Sequence, residues 1–325
     1  MILRYIGLAE ETLFNQAAEA VIHLDMASAS LDSPADTQMV YAGGLQRGAR
    51  THRPGFYSPS GNIVYAFDVR SIAYLLKWAL GGYLFTGGSP NMHEFYGQND
   101  IILPSFCTRL GKDRFEHVFT GCVINSLELK VEGEYCMVTA DIIAAKDAKA
   151  SLEEVSNLLL PEEYPLAFHE MTLAIGSDVS AKFKDFTLTI ANGLNAESGR
   201  SVGSRYPRRI PAGEREITFS ANLWFENTDE LEVYWGDSTG PADSGSTEFS
   251  PVITFDAGLG GSLEISLPTC IYTQVQQQPS GRDELVQAVA GKAFMDTIEL
   301  SDASNVESEI LVTVENELGD LDSVS

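Results

Sequence analysis

Along most of the chain apolar and polar residues alternate, and the alternating runs are rich in β-branched and aromatic side chains. AVIHLDMASASL, TQMVYAG, NIVYAFDV, CVINSLELKVEG, EYCMVTADIIAA, FKDFTLTIANGL, REITFSANLWF, STEFSPVITFDA, SLEISLPTCIYTQVQ, ELVQAVAGKAFM and SEILVTVEN all read this way. A period of two turns one set of side chains toward a core and the other away from it, so each run is expected to be a strand. Helical spacing is sparse. SIAYLLKWAL (71–80) is the clearest helix, SLEEVSNLLL (151–160) reads as a second one stopped by Pro161, and residues 9–20 read as a short turn. The expected class is mainly β, with strands spaced as in sandwiches or barrels.

The order of elements recurs. Pro59-Ser60-Gly61 followed by NIVYAFDV matches Pro211-Ala212-Gly213 followed by EREITFSA, which sets Arg53 on Arg205 and Phe67 on Phe219. KWALGG (77–82) and VYWGD (233–237) come next. Gly121-Cys122-Val123-Ile124 then aligns with Thr269-Cys270-Ile271-Tyr272, and IIAAKD (142–147) with AVAGKA (288–293), pairing Lys146 with Lys292. Matches in one order imply two copies of one β-domain. The expected division is residues 1–150, a helical linker at 151–165 containing PEEYP, and residues 166–298. Residues 299–325 follow, with one more strand near 309–315 and an acidic tail expected to be flexible or exterior.

Charge changes this picture most. The 325 residues hold 46 Asp and Glu against 21 Lys and Arg, a formal charge of -25. Such a surface repels nucleic-acid phosphate unless a basic face is segregated. Adaptation to very high salt, where self-repulsion is screened, and a surface meant to stay free of a polyanion are both consistent with it. The stretch nearest to membrane character, SIAYLLKWALGGYLF (71–85), is interrupted by Lys77 and two glycines. MILRYIGLAEETLF lacks the apolar run of a signal peptide, so assembly inside a cell, without export, is expected. Cys107, Cys122, Cys136 and Cys270 fit no metal spacing and read as buried thiols, with a Cys122–Cys136 bridge as the alternative.

Catalytic patterns are not apparent. His93-Glu94 and His169-Glu170 begin like zinc-protease motifs without the second ligand, FTGGSPN (85–91) lacks the lysine of a phosphate loop, and there is no GxSxG elbow. Neither a catalytic role, a metal nor a cofactor is expected. Basic charge, in contrast, is partitioned. QRGARTHRPGFYSPSGN (46–62) carries Arg47, Arg50, His52 and Arg53 and no acid, and the second copy carries Arg200, Arg205, Arg208, Arg209 and Arg215. Three readings compete: solvated loops, a phosphate grip, and arginine forks for carboxylates of an identical neighbour. An acidic body with two basic loops is self-complementary head to tail, which favours the last.

RYIGLAEETLFNQAAEA, RTHRPGFYSPSGNIVYAFDV and LLKWALGGY, followed by FTGCVINSLELKVEGEYCMVTADIIAAKDA, FKDFTLTIANGLNAESGRSVGSRYPRRIPAGEREITFSANLWF and GGSLEISLPTCIYTQVQQQPSGRDELVQAVAGKAFMD, resemble in order the tail tube proteins of long-tailed phages and archaeal viruses. The resemblance covers most of residues 4–298 and implies two β-sandwich or half-barrel domains, each with a flanking short helix or turn. It implies a virion tail protein assembled in the host cytoplasm, whose copies form stacked rings around a channel for DNA ejection. A long loop in each domain reaches the adjacent ring, here residues 46–60 and 198–212, so Arg47, Arg50, His52, Arg53, Arg200, Arg205, Arg208 and Arg209 are the expected inter-ring residues. Two domains per chain imply trimeric, pseudo-six-fold rings; one domain with an appended decoration implies hexamers. Tape measure, tail terminator and baseplate proteins are the further partners implied, with viral DNA passing unbound. The shortage of Lys points to a halophilic archaeal host. A tail terminator or baseplate ring, or a carbohydrate-binding cell-surface sandwich, are the alternatives.

Overall fold

Alternation becomes sheet nearly everywhere the sequence shows it. The computed structural model describes residues 3–24, 27–34, 37–41, 47–160, 164–175, 178–179, 183–277 and 284–323. In chain order the strands are β1 (Arg4–Glu10), β2 (Ile22–His23), β3 (Ser28–Ala29), β4 (Thr37–Tyr41), β5 (Ala49–Pro54), β6 (Ser60–Ala66), β7 (Gly81–Thr86), β8 (Asn91–Gly97), β9 (Phe106–Lys112), β10 (Glu116–Val131), β11 (Cys136–Ile143) and β12 (Lys146–Ala150). They continue as β13 (Met171–Ile175), β14 (Asp178–Val179), β15 (Phe183–Ala191), β16 (Glu216–Trp224), β17 (Pro251–Asp256), β18 (Ser262–Ser266), β19 (Thr269–Gln277), β20 (Val286–Phe294), β21 (Asp296–Glu299), β22 (Asn305–Ser308) and β23 (Leu311–Asn316). Helix α1 (Ser71–Leu80) separates β6 from β7, and α2 (Asp229–Trp235) separates β16 from β17. The protein is mainly β, as expected.

A twelve-stranded sheet has the path β19-β20-β16-β15-β10-β11-β6-β3, with β12, β9, β1 and β2 branching beside the first half of β10. A seven-stranded sheet, β14-β13-β17-β18-β23-β8-β7, forms the second layer. The core lies between them. On β15, Phe186, Leu188 and Ile190 are buried while Asp185, Thr187 and Thr189 face the other way, the period-two pattern in its simplest form. Helix α1 is buried at all ten positions because it has β10 on one side and β7 and β8 on the other. Its Trp78 stacks on Phe106 with ring centroids 4.5 Å apart.

Two expectations need correction. Residues 151–160 are not a helix; only a 3-10 turn at Val155–Asn157 forms. Val155, Leu159 and Leu160 stay exposed, so a ten-residue helix there would bury no apolar face, and short helices without tertiary support are marginal. The backbone of Leu159 instead joins His23, whose N–H donates to Leu159 O (2.8 Å). Nor is the acidic tail loose as far as Ser323. Leu321 is fully buried, its carbonyl accepts from Lys77 Nζ (2.9 Å), and Lys77 also pairs with Glu10 (2.8 Å) and Asp322 (2.7 Å). A lysine buried on α1 needs those partners, and the tail supplies two of them. The reading of the cysteines as buried thiols holds: all four are free and buried, and Cys136 sits opposite Val131, away from Cys122.

Strand registers also revise the internal match. A bulge falls at Asn125 on β10 and at Thr273 on β19, three residues after Cys122 and Cys270, in keeping with that match. The residues paired just before the bulges are Ile142 and Gly291, and their partners on the next strands are Gly61 and Phe219. Ten residues beyond each, at Ser71 and Asp229, a helix begins. By these landmarks Phe219 takes the place of Gly61 and not of Phe67, a shift of six residues, and Lys292 is displaced by three from Lys146. A slip by an even number of residues, as at Phe219, keeps every side chain on its own face, so alternation alone does not detect it.

Candidate functional site: a polar sheet face between two charged rims

Along the eight-strand path, residues not committed to the core form continuous cross-strand rows. One row runs Val64, Thr139, Glu128, Thr189, Thr218 and Lys292; the next runs Met137, Lys130, Thr187, Ser220 and Ala290. The face is therefore rich in short hydroxyl side chains. Asp141 accepts from Asn125 Nδ2 (2.8 Å) and Asp185 from Asn222 Nδ2 (2.9 Å). Its two lysines are engaged, Lys130 with Glu132 and Lys292 with Glu216.

Neighbouring strands are antiparallel, so β6, β10 and β16 run one way and β11, β15 and β20 the other. One rim carries the starts of β6 and β16 and the ends of β11 and β15. Both basic segments leave from it: residues 30–59 before β6 and 192–215 before β16. The opposite rim carries the β10–β11 turn and the start of β15.

The first basic segment is not the loop expected over 46–60. β4 and β5 pair as a ribbon (Met39 opposite His52, Gln38 opposite Arg53) that joins no other strand among the described residues, and all six residues of β5 are exposed. Arg47 lies in the bend just before β5, and the tip at 42–46, including Gln46, lies outside the described residues. An isolated two-stranded ribbon is marginal in water, so its base must be held. Asp147 on β12 holds it. The carboxylate accepts from Ser33 Oγ, just before β4, from Tyr57 OH (2.6 Å), just after β5, and from His117 Nε2 (2.8 Å). Lys112 Nζ lies 3.1 Å from His117 Nδ1, which fits a ring whose Nε2 carries the proton given to Asp147. Burial acts to raise the Asp147 carboxyl, but the Ser33, Tyr57 and His117 donors outweigh it and leave it below the ordinary carboxylate range. The Tyr57 hydroxyl is shifted up, by burial first and then by the neighbouring carboxylate.

The second basic segment folds onto the first. Arg200 covers the Phe56 ring at 4.4 Å, and Arg205 Nε donates to Gly55 O (3.1 Å). Tyr57 N–H donates to Arg205 O (3.0 Å), and the Tyr57 and Tyr206 rings meet edge to face at 5.6 Å. Two of the eight expected inter-ring residues, Arg200 and Arg205, are therefore partly buried within the chain, cation over ring. Arg47, Arg50, His52, Arg53, Arg208 and Arg209 are exposed. Ser33, Tyr57, His117 and Asp147 were not apparent in the sequence, since they come from four separate segments and make no motif.

A family model described as phage tail tube protein matches residues 3–293. No curated protein matches the chain.

Proposed function

This chain belongs to the phage tail tube protein family, a structural protein of the virion tail, and on that premise we propose that three copies close into a ring and that rings stack into the channel for DNA ejection. The observation that carries this reading is the strand order of the large sheet. β19-β20-β16-β15 and β10-β11-β6-β3 follow the same plan: β19 and β10 carry the bulges, α2 lies by β19 as α1 lies by β10, and the basic segments join β15 to β16 and β3 to β6. Inside the chain the two sets join through β10 beside β15, from Ser126 opposite Ala191 to Val131 opposite Phe186. The edges left over are β19 and β3, the counterparts of those two strands.

A second copy can add its β3 edge to β19 by the pairing already used internally, and such a heterologous contact repeated with rotation closes a ring and covers both edges. Two four-strand units per chain make six units from three chains. On this reading residues 1–150 and 166–298 are the two tube domains and 151–165 the connector, while β23, paired to both β8 and β18, fastens the outer layer.

The hydroxyl-rich sheet face would line the channel. Affinity for DNA rises with the number of phosphates neutralised by lysine and arginine. A wall with hydroxyls, Glu128, Asp141 and Asp185, and whose two lysines are already ion-paired, offers little for phosphate to hold, so DNA slides. Tape measure, tail terminator and baseplate proteins are the further partners in this scheme. The acidic, lysine-poor composition supports a halophilic archaeal host, with assembly in its cytoplasm.

Native mass spectrometry and electron microscopy of the purified protein in high salt test this reading. The expected species is a trimeric ring, alone and in stacked tubes. A hexameric ring would overturn the two-domain reading, and a persistent monomer the ring itself. Fold and tubes that survive below about 0.1 M salt would count against the halophilic assignment.

A further inference from the structure

The basic segments all leave one rim of the large sheet, so a head-to-tail stack must seat them on the other. That rim has a distinct surface. Between the end of β10, the start of β15 and β13 lies a groove of about 190 Å³, lined by the apolar Val131, Phe168, Met171, Leu173, Phe183 and Phe186 together with His169 and Asp185. Phe168 and Tyr135 beside it are 38% and 41% exposed, and Tyr164 in the same stretch is 90% exposed. Val131, Leu173 and Phe186 form the buried floor of the groove, and the open side chains of Phe168, Tyr135 and Tyr164 beside it on an acidic, water-facing rim mark a surface that is covered by a partner.

The charges around the groove are mostly negative. Glu132 and Glu134 in the β10–β11 turn, and Glu226 and Asp229 just after β16, are all exposed. Lys130 is occupied by Glu132, and Lys184 lies over the Trp224 ring at 4.0 Å. Glu134 and Glu226 have no ion pair among the described residues. The turn is firmly placed, since Phe168 N–H donates to Glu134 O (3.1 Å) and Tyr135 bridges to Ala167.

We propose that this apolar groove with its carboxylate border is the seat for the arginine-bearing segments of a second copy in the next ring. The inference rests on the tube reading and adds the receiving surface to it. Charge complementarity selects the occupant: Arg47, Arg50, Arg53, Arg208 and Arg209 are exposed cations of the segments at the far rim, and Val202, wholly exposed at a turn of the second segment, supplies an apolar group for the groove. β15 runs from one rim to the other, and its nine residues span roughly 27 Å. That is several Debye lengths at about 0.15 M salt, so the two rims do not neutralise each other within one chain. Between rings, arginine forks meet carboxylates at about 2.8 Å, close enough to act even where the screening length is about 3 Å.

The test uses two full-length variants that complement each other. Arg47→Glu/Arg50→Glu/Arg53→Glu/Arg208→Glu/Arg209→Glu makes both segments acidic, and Glu134→Arg/Glu226→Arg makes the receiving rim basic while sparing the Glu132–Lys130 pair. Each alone is expected to keep the wild-type ring mass in native mass spectrometry and to lose at least about tenfold in mean tube length, because the lost pairs recur in every subunit of a ring interface. Mixed in equal amounts, the two ring populations are expected to form tubes again, since each then meets a rim of opposite sign. Wild-type tube length in the rim variant, or a mixture that stays unstacked, overturns the assignment while leaving the tube reading in place. Absence of rings from the wild-type protein overturns the tube reading itself. If the rim variant does not fold, Glu134→Gln/Glu226→Gln serves instead, with shortened tubes expected and unchanged tubes contrary to the proposal.

Discussion

Asp147→Asn should free the basic ribbon without unfolding the protein. Asp147 gathers donors from Ser33 and Tyr57, which flank the ribbon on its two sides, and from His117 behind it. A hydrogen bond to an ionised group contributes about 1.5–3 kcal/mol. Asparagine is neutral, keeps one acceptor oxygen and presents an N–H₂ to a donor, so all three bonds lose their charge assistance and at least one is lost. A cost near the lower bound for two such bonds, about 3 kcal/mol, corresponds to about a hundredfold rise in the population of the opened ribbon. Amide hydrogen exchange reads that population directly. Amides of Thr51–Arg53 should exchange about a hundredfold faster, while those of β15 and β16 stay protected. The sign of the pH effect follows from the depressed carboxyl: its contribution is complete above the ordinary value of about 3.9 and is lost as pH falls through the lower folded value. Wild-type ribbon protection should therefore be level from neutrality to about pH 4 and fall only below it. Unchanged ribbon exchange in a folded Asp147→Asn protein would refute the clamp.

Leu321→Ala, in a tail that composition alone marks as dispensable, should cost about 2–5 kcal/mol in urea unfolding followed by tryptophan fluorescence; no loss would mean the tail does not pack. Gly291→Ala drives a Cβ into the Phe219 ring and should cost about 1–3 kcal/mol in the same assay, whereas a neutral result would contradict the β16–β20 register. Burial pushes the Cys107 thiol up to about 11 and those of Cys136 and Cys270 up to about 12, and raises Cys122 as well. A thiol reagent at pH 8 should therefore label none of the four in the folded protein and all four in denaturant.

Local pattern determined a good deal by itself. Alternation on segments such as FKDFTLTIA and EITFSANLW identified strands and, through them, the fold class, because a period of two has no other way to bury its apolar half. SIAYLLKWAL forms a helix as its composition requires. The clustering of Arg47, Arg50 and Arg53 and of Arg208 and Arg209 was equally plain, since charge is read without geometry. Tertiary structure decided what long-range partners control. SLEEVSNLLL had a helical look but no surface to bury against, and the tail looked solvated until Lys77 drew Leu321 and Asp322 to it. The contact of Arg200 and Arg205 with Phe56 and Tyr57, the assembly of Ser33, Tyr57 and His117 around Asp147, and the two opposed rims depend on strand register and direction. A side-chain pattern repeats after every second residue, so it leaves register undetermined by any even slip; hydrogen-bonded pairing and the bulges at Asn125 and Thr273 remove that freedom.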